Sequence, residues 1–99
     1  MSTSAENLYP AMAAAISFEE SRLVVELKDG RTLYVPVSWY PRLEAATPDE
    51  RLNYELMGDG TGIHWPDVVE DISVSALLAG KKSNERPENI KKWLKGRVA

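Results

Sequence analysis

The sequence predicts a small α+β domain: an antiparallel sheet of about four strands with two short helices and a basic C-terminal segment. Three observations lead there. Aliphatic and polar residues alternate on both sides of Asp29-Gly30, the pattern of a β-hairpin. Thr47-Pro48-Asp49-Glu50 combines the start signals of a helix. The chain has 99 residues and no cysteine, so one modest core must form without disulfides or cysteine-ligated zinc.

The elements follow in order. Residues 1–11 open with small and polar side chains and are expected to fray. Met12 to Phe18 reads as a first strand, with Ile16 and Phe18 on one face, and Glu19 to Ser21 as a polar turn. Leu23, Val25 and Leu27 then face Leu33, Val35 and Val37 across the hairpin. A two-residue loop would split these aliphatics between the two faces. A three-residue loop, Lys28-Asp29-Gly30, sets Val25 opposite Leu33 and keeps all six together. Gly30 then supplies the left-handed residue that such a loop needs. Pro36 donates no ladder hydrogen bond and marks an edge or a bend.

Ser38 is placed to cap a short turn at Trp39-Tyr40-Pro41. Thr47 caps the first full helix, Pro48 takes its first position and Glu50 completes a capping box. Leu52 and Leu56, four apart, are expected on its inner face, and Gly58, Gly60 and Gly62 end it. Ile63 to Val69 returns as a strand interrupted by Pro66. Ser73 caps a second helix, Ile72 packs on Leu77 as a staple, and Gly80 stops it. This divides the chain into one domain over 1–80 and a basic tail over 81–99, of which Pro87 to Lys95 can form a short helix. Nine residues are too few to be helical alone in water, so that segment needs a surface to order against.

Charge separates the same two parts. Residues 1–80 carry a net −8 and residues 81–99 a net +5. An acidic body does not attract phosphate backbones, whereas a basic tail can. The tail has three other uses: docking on its own body, docking on an acidic neighbour, or self-association. No run approaches the ~20 apolar residues of a membrane span. The Ala-rich run from Ala11 lacks the charged start of a signal peptide. With no cysteine, a reducing cytoplasm fits.

Residues 23–80 carry the stretches PVSWYPRL, ATPDERLNYEL and GIHWPD followed by EDISV. In residue type and order they resemble a bacterial family of small domains of unknown function, number 2442. The resemblance implies a small antiparallel sheet carrying short helices. It also implies proteins that stand alone or join a helix-turn-helix segment, some encoded beside a second small protein in the manner of toxin–antitoxin pairs. It brings no catalytic residues to carry over. The residues after Gly80 are too few for a complete helix-turn-helix domain.

Little in the sequence points to catalysis. His64 is the single histidine, and its alternatives are a general base beside Asp67, Glu70 or Asp71, or a ring that orders the Gly-rich turn. Those three carboxylates lack the spacing of a calcium loop, and no metal or cofactor is expected. Gly58, Gly60 and Gly62 lack the Lys-Ser/Thr of a phosphate-binding loop. The aromatic residues offer more. Trp39, Tyr40, Tyr54 and Trp65, with Arg42 and Arg51 nearby in sequence, read either as a protein-binding patch or as a small aromatic core. Lys91, Lys92 and Trp93 suit a partner groove, or nucleic acid through charge and stacking.

The function expected from these residues is a non-enzymatic protein-binding module, antitoxin-like toward a small neighbouring gene product. The candidate partner-binding residues are Trp39, Tyr40, Arg42, Tyr54, His64, Trp65, Lys91, Lys92 and Trp93. The alternative is a nucleic-acid-associated regulator acting through the tail.

Overall fold

Two three-stranded antiparallel sheets share one core in the computed structural model, which describes residues 10–98. The first sheet contains β1 (Ala13–Glu19), β2 (Arg22–Leu27) and β3 (Thr32–Pro36), in that order. The second contains β4 (Glu55–Met57), β5 (Gly62–Trp65) and β6 (Glu70–Ser73). Four helices accompany them: α1 (Pro41–Glu44), α2 (Pro48–Leu52), α3 (Val74–Leu78) and α4 (Pro87–Val98). The α+β class is as predicted. The strand number differs, because the expected single sheet of about four strands is two sheets of three.

The β2–β3 hairpin has the predicted register. Leu23 lies opposite Val35 and Val25 opposite Leu33. The Leu27 amide donates to the Arg31 carbonyl at 2.8 Å, and Gly30 takes φ 98°. Leu23, Val25, Leu27, Val35 and Val37 are buried and Leu33 half-buried, so one face feeds the core. β1 adds Ile16 opposite Val25 and Phe18 opposite Leu23. β3, ending at Pro36, is an edge strand. Of the stretch expected to fray, residues 1–9 lie outside the described residues, and Ala11 packs against the core.

The capping box at α2 is complete. The Thr47 hydroxyl accepts from the Glu50 amide at 3.2 Å, and the Glu50 carboxylate accepts from the Thr47 amide at 2.9 Å. Thr47→Ala removes one half of it and is expected to cost about 1 kcal/mol in urea denaturation. Ser73 caps α3 by accepting from the Ala76 amide, and Gly80 stands past its end at φ 77°. Ile72 and Leu77 are both buried there.

Three expectations need correction. The helix from Thr47 ends at Leu52, which is 67% exposed, and Leu56 sits on β4 instead of a helix face. The chain turns extended here so that Leu56 can pair with Ile63, and Gly58 and Gly60 lie in a 3-10 turn between β4 and β5. The strand from Ile63 stops at Trp65, and a turn over residues 66–69 separates it from β6. Ser38 caps nothing: neither the 3-10 turn Val37–Trp39 nor α1 has a side-chain cap.

Candidate functional site

The residues with most chemistry gather where α4 meets the body. Arg42, on α1, donates from Nε to Glu85 at 2.9 Å and from its terminal nitrogens to Glu85 at 2.6 Å and the Val68 carbonyl at 3.1 Å. Arg97, on α4, donates to Glu50 at 2.6 and 3.2 Å. Both guanidiniums lie over the Trp93 ring, their carbons 5.0 Å (Arg42) and 4.7 Å (Arg97) from its centre. Arg42 holds the Glu85 carboxyl below the usual carboxylate range, and Arg97 does the same for Glu50. The Asn53 amide donates to Asp67 at 2.9 Å, tying the exit of α2 to the β5–β6 turn. Leu52 and Val69, one and two residues from that contact in sequence, are 67% and 66% exposed. Val69 has φ 53°, a strained conformation for a β-branched residue.

Next to this end runs an open groove of about 630 Å³, whose lining includes Tyr40, Glu70, Asp71, Lys82, Glu85 and Arg86. Burial, then Glu85, and more weakly Asp71 push the Glu70 carboxyl up to about 7, against the pull of Arg42. Its ordinary value is 4.5. Between those two values the folded chain keeps a proton that the unfolded chain has released. Stability from this group is full below about 4.5 and is lost as pH rises toward 7. Glu70→Gln is expected to remove that loss, leaving the variant about 1 kcal/mol more stable than wild type at pH 8 and equal at pH 4. Urea titrations at the two pH values measure it. Glu50 and Glu85 act in the opposite sense: their lowered values add stability above the ordinary 4.5 that is lost as pH falls.

The predicted site residues separate into core and surface. Trp65 is fully buried, stacked edge-on to Phe18 at 6.3 Å, and its indole N–H donates to the Arg51 carbonyl at 3.0 Å. Tyr40 is 5% exposed and its hydroxyl donates to the Lys81 carbonyl at 2.7 Å; burial and then Glu70 push its phenol up. Both belong to the core cluster, and Tyr40 also borders the groove. Tyr54 is half-buried against Trp65, and its hydroxyl accepts from the Ile16 amide. Trp39 is half-buried, with the Lys82 ammonium 5.3 Å from its ring centre. His64 lies on β5 between Glu55 and Asp71 in register and bonds Asp71 through Nδ1. Asp67 is turned away to Asn53. On α4, Trp93 faces the body while Lys91 and Lys92 are exposed.

Sequence reasoning singled out Arg42 and Trp93 but not Glu85 or Arg97 as their partners. The ion pairs span 43 and 47 residues, and no local pattern announces them. The available signal was helical spacing: Ile90, Trp93 and Arg97 share one side of α4 and are its half-buried residues.

Residues 13–83 match the family model described as "Protein of unknown function (DUF2442)". The chain belongs to that family. α4 lies beyond the matched segment, although it packs on the family domain. Two solved structures share the fold. A protein of unknown function from Rhodospirillum rubrum, 29% identical, superposes with a TM-score of 0.68 over 78% of this chain and 95% of its own. An uncharacterized protein from Chromobacterium violaceum, solved by solution NMR and 19% identical, gives 0.66 over 90% of this chain and 81% of its own. At the latter identity the likeness concerns the fold alone. No curated protein matches the chain. Among the described residues, no helix is long and apolar enough to cross a membrane.

Proposed function

We propose that this family member is a non-enzymatic protein-binding module of the cytoplasm, the antitoxin-like partner of a small neighbouring gene product. One observation carries the reading. Arg42 and Arg97 lie over Trp93 and are bonded to the Val68 carbonyl and to Glu50, and the nearby residues in sequence, Val69, Leu52 and Leu94, are exposed. Arginine and tryptophan dominate interface hot spots, and clustered exposed apolar side chains mark interaction surfaces. Binding there works by occlusion, covering the partner's working surface.

The test is co-expression with the neighbouring gene product, followed by gel filtration of the complex. A 1:1 complex that is lost in Leu52→Asp and Val69→Asp supports the reading. A neighbour that elutes separately from wild type sinks it.

A second reading has its own observation. Lys91, Lys92 and Lys95 are exposed on the side of α4 away from Trp93, and Lys81, Lys82 and Arg86 are exposed before it. This supports a nucleic-acid-associated regulator. It predicts binding that weakens steeply with salt and disappears when the three α4 lysines become glutamates.

A further inference from the structure

We infer that residues 81–86 are a pH-sensitive strap: closed along the groove while Glu70 is protonated, and released when Glu70 ionises and takes Arg42 from Glu85. The inference is independent of which partner the protein binds.

The composition of the strap lets it open by itself. Its six residues, KKSNER, include no apolar side chain and form no helix or strand. Beyond the end of α3, three polar contacts fasten it, and all reach residues 39–42. The Tyr40 hydroxyl donates to the Lys81 carbonyl at 2.7 Å, the Ser83 amide donates to the Trp39 carbonyl at 3.1 Å, and Arg42 clasps Glu85. The Lys82 ammonium adds a contact over the Trp39 ring. A segment held by a few hydrogen bonds and little apolar burial opens locally, at less cost than global unfolding.

Glu70 shares the groove with this strap. It is the first residue of β6, is half-buried, and lines the groove together with Tyr40 and all six strap residues. Arg42 alone favours its charged form, against burial, Glu85 and Asp71. Arg42 is thus shared between two carboxylates. Its contact with the Val68 carbonyl holds it two residues from Glu70 in sequence, while its other donors go to Glu85.

Opening the strap reverses each influence on Glu70. Glu85 leaves, the cover that the strap gives the groove is lost, and Arg42 is freed. All three changes favour the Glu70 carboxylate, so ionisation and release favour each other. The closed strap is fully favoured below the ordinary 4.5 and weakens as pH rises through about 7. Release takes Arg42 off the Trp93 ring and Lys82 off the Trp39 ring.

The other charged groups nearby have other engagements. Asp71 bonds His64, and Arg97 on α4 is taken by Glu50. The Tyr40 phenol is pushed up and stays neutral. Lys81, Lys82 and Arg86 are exposed cations that move with the strap.

The test is amide hydrogen exchange by NMR on the full chain, corrected for the intrinsic pH dependence of exchange. The probe is the Ser83 amide, with the Glu70 carboxyl carbon titrated in the same sample. Ser83 opening is expected to rise about tenfold between pH 5 and pH 8.5, following the Glu70 titration. It should respond little to low urea, as local opening does, whereas amides of β2 report global unfolding. Glu70→Gln should keep the strap closed at both pH values. His64→Gln should keep the wild-type profile.

Ser83 opening that stays constant while Glu70 titrates overturns the strap. So does a wild-type profile in Glu70→Gln, or loss of the profile in His64→Gln. A urea dependence at Ser83 equal to that of the β2 amides overturns it too, since the whole domain then opens together.

Discussion

Trp65→Ala is expected to cost about 3–5 kcal/mol, the range for deleting a buried aromatic side chain. A domain of this size has about 5–15 kcal/mol in total, so the variant sits near the edge of folding. At about 4–8 °C per kcal/mol, its melting temperature should fall by more than ~12 °C. The reason is the position of the ring. Trp65 has no exposed surface, packs on Phe18 and Tyr54, and lies in the core cluster that both sheets share. Its N–H also fixes the Arg51 carbonyl at the end of α2. The Arg51 side chain in turn donates to the carbonyls of Leu43 and Glu44 at the end of α1, where a cation satisfies open acceptors. Removing the indole therefore disturbs the core and both helix ends. Trp65→Phe keeps most of the volume and loses the donor, for about 1–3 kcal/mol. Thermal and urea denaturation of the two variants separate packing from the hydrogen bond. A Trp65→Ala cost within about 0.5 kcal/mol of zero, as expected of a surface side chain, would falsify the core placement.

How much of this was legible depended on how far apart the cooperating residues lie. The β2–β3 register could be read because period 2 and Gly30 act within fifteen residues. The capping box could be read because Thr47 and Glu50 are three apart. Leu52 and Leu56 misled because two leucines at helical spacing are a weak helix signal, and pairing of β4 with β5 overrode it. Trp65, beside Pro66, reads from the sequence either as part of a binding patch or as part of a small aromatic core. Its alternation with Ile63 on a strand was the better signal, since both are buried while Gly62 and His64 are half-exposed. The ion-pair partners of Arg42 and Glu50 were the least visible. Glu85 and Arg97 look like ordinary members of a charged tail, and only the fold brings them to Arg42 and Glu50. The two-sheet arrangement was hidden for a related reason. It depends on where the turn before β5 crosses β1, a contact made by a glycine with no side chain to pattern.

That glycine carries the second large effect. Gly60→Ala is expected to cost about 2–5 kcal/mol, from two sources that add. Gly60 has φ +104°, a conformation that side chains rarely adopt. A Cβ on it would also lie 2.4 Å from the Ala13 carbonyl oxygen and 3.0 Å from the Ala13 nitrogen. Neither obstacle is a side chain that can rotate away. Ala13 is fully buried beside the bulge in β1, so β1 would have to move, and with it the contact between the sheets. The other left-handed glycines provide the comparison. Gly30 has φ +98° with open space around it, so alanine there meets only backbone strain, about 1–2 kcal/mol. Gly58 has φ +57°, within the left-handed region that other residues tolerate, and its Cβ meets the Thr61 hydroxyl at 2.5 Å, which can swing aside by giving up its bond to the Gly58 carbonyl. The expected order of cost places Gly60 well above the other two. Urea midpoints of the three alanine variants measure it. If Gly60→Ala is no worse than Gly30→Ala, the turn before β5 does not press on β1, and the packing of the two sheets described here is wrong at that point.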